Sequence, residues 1–254
     1  MQPDPAFWLE RPNLAALEIA AVLGYRVAVL DMEHGVIAQD TCDALVAQAR
    51  ALALAVIVRV AAPERIIIQQ ALDFGADGVM VPMVRDAAHA AEVSAHSKYP
   101  PLGKRGVGTG RAFAYGAYDA IDVDFYGKAN ARTRCHIMIE TAGALQEVMA
   151  IAKLPTVDGL FVGPSDLSLA RGRGAFRFTR EDEEDFRRVA QACRENGKVL
   201  GLPAPSLKAL TLALSEGASY VTLSDDLTAL RVGFEHGLAI LRSQAGSENA
   251  GDRK

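Results

Sequence analysis

The chain has 254 residues, half of them apolar and 23% charged, with a formal net charge of −4. The acidic balance excludes nucleic acid and anionic lipid as principal partners, and no apolar run is long enough to cross a bilayer. Three well-separated cysteines, Cys42, Cys135 and Cys193, fit neither a disulfide framework nor a zinc pattern and read as buried thiols.

The opening residues Met1-Gln2-Pro3-Asp4-Pro5 lack a basic region followed by an apolar one, so a cytoplasmic protein is expected. From there the chain repeats one pattern: a short β-branched or apolar run, a polar residue, then an Ala-, Leu- and Glu-rich stretch. The predicted strand at 6–9 leads to a helix at 14–23, and the strand at 27–31 to a helix at 41–52. The strand at 55–60 leads to a helix at 64–74, and the strand at 78–82 to a helix at 86–96. Residues 97–135 then break the rhythm, a connection whose length suggests a lid, a subunit contact or a site. The pattern resumes with a strand at 136–140 before a helix at 143–152, and a strand at 159–163 before a helix at 181–195. It closes with a strand at 199–203 before a helix at 206–216, and a strand at 220–224 before a helix at 227–241. Gly24, Gly75, Gly197 and Gly217 follow helical stretches where left-handed caps are wanted. Alternation of this kind implies parallel pairing, because each return to the sheet needs a crossover. Eight units in roughly 250 residues predict an α/β protein with a single (β/α)8 TIM-barrel domain over 1–243, followed by a frayed tail at 244–254. No G-x-G-x-x-G follows the first strand, which disfavours a Rossmann fold.

Reactive groups of such a barrel sit at the C-terminal ends of its strands, where the loops share one mouth. The second strand ends in Asp31-Met32-Glu33-His34-Gly35, the third in Arg59, the fifth in Glu140-Thr141 and the sixth in Gly163-Pro164-Ser165-Asp166. Each has a plain reading beside the functional one. Glu140 serves as a solvated strand end or the partner of a helix cap, and Asp166 as the cap of the following turn. His34 is either a satisfied loop histidine or an imidazole that takes and returns a proton near neutral pH. Arg59 needs an anion, which is either a substrate carboxylate or enolate or an acid of its own chain. Two carboxylates on adjacent strands suit one hard cation with positions left for water and substrate. Of the other histidines, His89 and His96 read as solvated helix residues, His136 as barrel floor and His236 as last-helix. No lysine ends a strand, so Schiff-base chemistry is disfavoured, and if the protein is a carbonyl enzyme its electrophilic activation comes from a metal.

Asp31-Met32-Glu33-His34-Gly35, Val58-Arg59-Val60, Val81-Pro82-Met83-Val84, Tyr99-Pro100-Pro101 through Gly108, Ile139-Glu140-Thr141 and Gly163-Pro164-Ser165-Asp166-Leu167-Ser168 together resemble the HpcH/HpaI aldolase family. The match runs from Trp8 to Leu241. It implies a divalent-metal-dependent (class II) aldolase that cleaves 4-hydroxy-2-keto acids to pyruvate, or a close analogue such as hydroxypyruvate, and an aldehyde. By that resemblance Glu140 and Asp166 ligate magnesium, manganese or cobalt, which chelates the keto acid and holds its enolate. His34 is the base, supported by Asp31, while Asp73 matches an acid that reaches this histidine from a neighbouring subunit. Arg59 stabilises the enolate, the main chain at Ser165 holds the pyruvate carboxylate, and Glu33 fixes metal-bound water. The implied assembly is a homohexamer, a trimer of dimers. Where several relatives carry a substrate-contacting glutamine, this chain has Met138, whose thioether cannot donate a hydrogen bond. The rivals are a CoA-ester lyase, for which no basic patch is evident, a metal-dependent keto-acid decarboxylase or hydrolase, and a non-catalytic sugar-acid sensor.

Overall fold

The computed structural model describes residues 2–117 and 122–251, with side chains described as far as Ser243. Eight parallel strands close into a barrel in chain order: β1 Asp4–Leu9, β2 Val27–Asp31, β3 Ala55–Arg59, β4 Gly78–Val81, β5 Arg134–Ile139, β6 Gly159–Val162, β7 Val199–Pro203 and β8 Tyr220–Asp225. Around them run α1 Leu14–Val22, α2 Gln39–Ala51, α3 Arg65–Asp73, α4 Ala87–Ala95, α5 Phe125–Arg132, α6 Ala142–Gln146, α7 Val148–Lys153, α8 Pro164–Ala170, α9 Arg180–Asn196, α10 Leu207–Ser215 and α11 Asp226–Gly251. The expected TIM barrel is therefore present. The tail expected at 244–254 falls on residues whose side chains lie outside those described. None of the helices among the described residues is long and apolar enough to cross a membrane.

Strand alternation divides the apolar residues into two cores. Leu30, Val58, Val81, Ile139 and Val162 point outward onto the helices. Val29, Ile57, Met80, Met138, Phe161 and Tyr220 point inward and fill the barrel. The aromatic filling depends on a glycine: a Cβ at Gly201 would meet Tyr220 Cζ at 2.3 Å, so β7 yields its place to that ring. Helix starts follow local chemistry, with side-chain caps from Asn13, Asp86, Thr141 and Ser206 and a capping box between Thr179 and Asp182. The four glycines expected at helix ends all have positive φ.

Besides the added short α8, two elements differ from expectation. The helix expected at 143–152 is two helices, because Glu147 leaves helical geometry (φ −101°, ψ 16°) while its carboxylate accepts the Ala87 N–H at 2.9 Å. The 97–135 excursion holds a 3-10 turn at Arg111–Gly116 and α5, with residues 118–121 outside the description. It leaves the C-terminal end of α4 and enters the N-terminal end of β5, so it lies at the floor of the barrel. Its described residues form no lid over this chain's own mouth. Lys98 pins it from within: its buried Nζ donates to Asn130 O at 2.9 Å and pairs with Asp158 at 2.7 Å. Tyr99, Phe113, Phe125 and Tyr126 give the excursion an aromatic core of its own.

The three cysteines are buried free thiols, each pushed up to about 12 by burial. His136 lies inside the barrel floor, edge-on to Tyr220, and burial brings its imidazole down to about 4. Two histidines correct the sequence reading. His89 is buried, not solvated, because its Nδ1 turns inward to accept the Arg85 N–H at 3.2 Å. His96 is half-buried, with its Nδ1 shielded from solvent.

Candidate active site

Register places the first two functional side chains opposite each other: Asp31, the last residue of β2, pairs with Arg59, the last of β3. The Asp31 carboxylate is wholly buried and receives Arg59 Nε at 2.9 Å, Arg59 Nη2, and Trp8 Nε1 at 3.0 Å. The main-chain N–H groups of Glu33 and His34 complete it at 2.9 and 3.1 Å. Burial pushes this carboxyl up, but the hydrogen bond and charge of Arg59 outweigh burial and hold it below the usual carboxylate range. Asp31 thus supports His34 through the main chain and not through the ring. The turn is tight enough that a Cβ on Gly35 would lie 2.2 Å from Asp31 O. That geometry presents the exposed His34 to the cavity.

Arg59 is sandwiched. Its Nη1 pairs with Glu33 Oε2 at 3.0 Å, and its guanidinium lies 4.9 Å from the Trp8 ring centroid. The anion that Arg59 was expected to need is supplied by two acids of its own chain. A guanidinium has five N–H donors. Asp31 takes the Nε–H and one N–H of Nη2, which leaves one N–H on Nη2 and both on Nη1, the nitrogen that faces the Glu33 carboxylate. Glu33, expected to fix metal-bound water, is engaged by Arg59.

Glu140 follows β5 directly and is buried. Its Oε1 accepts the N–H of Met83 at 2.5 Å, a residue held at φ 54°. Burial, followed by the charges of Glu33 and Asp166, raises the Glu140 carboxyl to about 7. Asp166 and Ser165 lie in the first turn of α8, whose Pro164 occupies the position where a missing N–H costs nothing. No side-chain cap takes up the N–H groups of that turn. Hard oxygen donors crowded together, with Glu140 poised between charged and neutral, fit a divalent cation of the magnesium type. Among the described residues no group of three or more His, Cys, Asp or Glu is placed to hold a metal. A site on Glu140 and Asp166 would draw its remaining ligands from water and substrate oxygens.

These residues line one cavity of about 340 Å³ together with Trp8, Met138 and Phe161. That is the small end of the range for ligand pockets, roughly 300–1,000 Å³. Met138 shares the inward face with Glu140 and sits beneath it. The expected residues Arg59, His34, Met138, Glu140, Ser165 and Asp166 come together here, with Asp31 behind them. Asp73 does not join them. It ends α3 at the floor, where Arg105 Nη2 pairs with it at 2.7 Å. Sequence reasoning missed Trp8, Glu10, Thr222, Ser224 and Asp225 on the opposite wall. Glu10 and Asp225 follow or end β1 and β8, so the strand-end rule extended to those two strands finds them.

A closed parallel barrel with an acid-rich, small-molecule cavity at its mouth is the framework of an enzyme. The chain belongs to the HpcH/HpaI aldolase/citrate lyase family, whose model matches residues 6–231. It is 33% identical over 250 residues to a 4-hydroxy-2-oxovalerate aldolase of Novosphingobium aromaticivorans, covering 95% of this chain and 91% of that one. It is 32% identical to a 2-keto-3-deoxy-L-rhamnonate aldolase of Klebsiella pneumoniae, covering 94% and 88%. In structure it resembles a HpcH/HpaI aldolase/citrate lyase family protein of Burkholderia cenocepacia, with a TM-score of 0.86, 30% identity and 95% of each chain covered.

Proposed function

We propose that this protein is a carbon–carbon lyase that reversibly cleaves a 4-hydroxy-2-keto acid to pyruvate, or an analogue such as hydroxypyruvate, and an aldehyde. The observation that carries the reading is the shared cavity of His34, Arg59, Glu140 and Asp166 in a chain whose relatives are keto-acid aldolases.

In cleavage, His34 or a water that it controls takes the proton of the 4-hydroxyl. The O–H electron pair becomes the carbonyl of the departing aldehyde. The C3–C4 pair moves onto C3 and delocalises to the 2-oxo oxygen as the enolate, which takes a proton at C3 to give pyruvate. The remaining N–H donors of Arg59 are preorganised for that oxygen by Asp31, Glu33 and Trp8, so no reorganisation is needed when charge arrives. The first turn of α8 offers the Ser165 main chain to the substrate carboxylate. Glu140 and Asp166 would hold magnesium, manganese or cobalt, which when bound supplies Lewis-acid polarisation of the keto group. In synthesis the same steps run in reverse.

A homo-oligomer, hexameric as a trimer of dimers, is part of the proposal. Asp73 lies at the floor of its own barrel, so it reaches a His34 only if one copy's floor meets another's mouth. Exposed apolar residues on α1 and α11, among them Ile19, Val22, Phe234 and Leu238, suit burial between copies.

The enzyme should exchange the methyl protons of pyruvate in deuterated buffer, read by proton NMR with magnesium or manganese present. A non-catalytic keto-acid sensor would leave the methyl signal intact, and that result would remove the aldolase reading. Met138→Gln should keep cation binding but redistribute rates among aldehydes. A hydrogen bond is worth about 0.5–1.5 kcal/mol, so rate ratios should move roughly 2- to 15-fold. Steady-state rates on three aldehydes check this. One common scaling of every rate makes Met138 packing and not part of the specificity surface.

A further inference from the structure

The cavity has two chemically unlike sides. On the β3, β5 and β6 side lie Arg59, Glu140 and Asp166, the groups that serve the keto acid. On the β1 and β8 side lie Trp8, Glu10, Thr222, Ser224 and Asp225. No lysine or arginine lines that second side, and Arg59 is the only one of either among all the residues lining the cavity. Its donors are already committed to Asp31, Glu33 and the keto-acid end.

The second wall is built to accept hydrogen bonds. The main-chain N–H groups of Glu10 and Arg11 are satisfied by the buried Asp226, at 2.9 and 3.2 Å, which fixes the chain as it leaves β1. The Glu10 carboxylate lines the cavity from that fixed position, where burial and the charges of Asp225, Asp31 and Asp226 raise its carboxyl and the charge of Arg11 offsets them only in part. Arg11 is exposed and outside the cavity lining. Asp225 spends Oδ1 on the Thr228 N–H at 2.7 Å, which caps α11 and holds the carboxylate still. Ser224 lines the cavity and donates its hydroxyl hydrogen to Asp225 O at 3.2 Å, which leaves its oxygen to accept. Ionised carboxylates only accept hydrogen bonds. A substrate tail of alcohols donates to them, while a tail that ends in a carboxylate meets two like charges and no counter-ion on this wall of the chain. Trp8 and Phe161, 5.6 Å apart at their centroids, supply an apolar floor for the carbon chain.

We propose that Glu10, Thr222, Ser224 and Asp225 receive the aldehyde partner, selecting an uncharged, hydroxylated aldehyde against one that carries a second carboxylate. This rests on the aldolase reading above and names the substrate class of that same cavity.

The test uses matched aldehyde pairs differing only by CH2OH against COO⁻: glycolaldehyde with glyoxylate, and glyceraldehyde with tartronate semialdehyde. Each is condensed with pyruvate by the full-length enzyme with magnesium present, and kcat/KM is taken as a ratio within each pair. The uncharged member should win by about tenfold or more, the scale at which unpaired or like-charged groups discriminate in a closed pocket. Glu10→Gln and Asp225→Asn, measured singly, should each lower that ratio, and Asn keeps the helix cap. Equal or better use of the acidic member by the wild type overturns the proposal, as do variants that scale both members alike. Pyruvate methyl exchange by the wild type separates the two levels. Exchange without the preference sinks this proposal alone, and no exchange sinks the aldolase reading together with it.

Discussion

Arg59→Ala should lose pyruvate enolisation and aldol cleavage together, each by about 10²–10³, because one preorganised charged donor to a developing oxyanion is worth that much. Both reactions pass through the same enolate, and both need the N–H donors that Asp31 leaves free. His34→Ala should separate them, with cleavage falling by about 10²–10⁴ as expected for a lost general base, and enolisation falling less. The 4-hydroxyl proton exists only in cleavage. Proton exchange and product formation, measured on the same preparations, give the comparison. Normal enolisation in Arg59→Ala would move this residue to simple substrate binding.

A structural effect accompanies that substitution and has to be measured with it. Asp31 is fully buried, and removing its cation leaves an uncompensated charge, a loss of about 3–5 kcal/mol in comparable buried pairs. Thermal melts should therefore fall with Arg59→Ala. Arg59→Lys keeps a positive charge near Asp31 but replaces the planar fork with a point charge. It should recover much of the melting temperature and little of the rate, which distinguishes lost catalysis from a damaged fold.

The barrel was legible because each strand run is short, apolar and followed by a helical stretch, so periodicity and length agree. Val27–Asp31 and Val199–Pro203 were delimited to the residue, since polar or turn residues bracket them. The mouth was legible for a related reason: an acid or arginine that closes an apolar run has few structural uses. What a strand-end reading does not contain is which side chains pair across strands. That Asp31 spends itself on Arg59, Trp8 and two main-chain N–H groups follows from register and from the tight turn at Gly35. No residue type announces either. Periodicity also misjudged His89, because an imidazole on an otherwise mild helix gives no sign that a neighbouring loop N–H will recruit it inward. The short α8 was hidden too, as seven residues beginning Pro164-Ser165 after Gly163 read equally well as a turn.

Glu140→Gln should abolish metal-supported cleavage, by about 10³ or more if the cation contributes the several kcal/mol typical of Lewis-acid catalysis. The amide keeps the shape and can still accept the Met83 N–H, so the fold should survive, but a neutral oxygen replaces the charged ligand. Manganese binding followed by electron paramagnetic resonance reads affinity without activity and should weaken at least tenfold. In the wild type a chelator should stop cleavage, and magnesium, manganese or cobalt should restore it. Borohydride trapping of a covalent pyruvate adduct would instead place the chemistry on a lysine. Acidity supplies an independent check. Burial and the charges of Glu33 and Asp166 hold the Glu140 carboxyl near 7, so protons compete with the cation below that pH. Manganese affinity should fall as pH drops from about 7, and the cation should release a proton on binding in that range. In Glu140→Gln the proton release should vanish with the carboxyl that carried it. Affinity that stays level from pH 7.5 to about 5.5 would remove Glu140 from the ligand set and leave its raised carboxyl to be explained by burial alone.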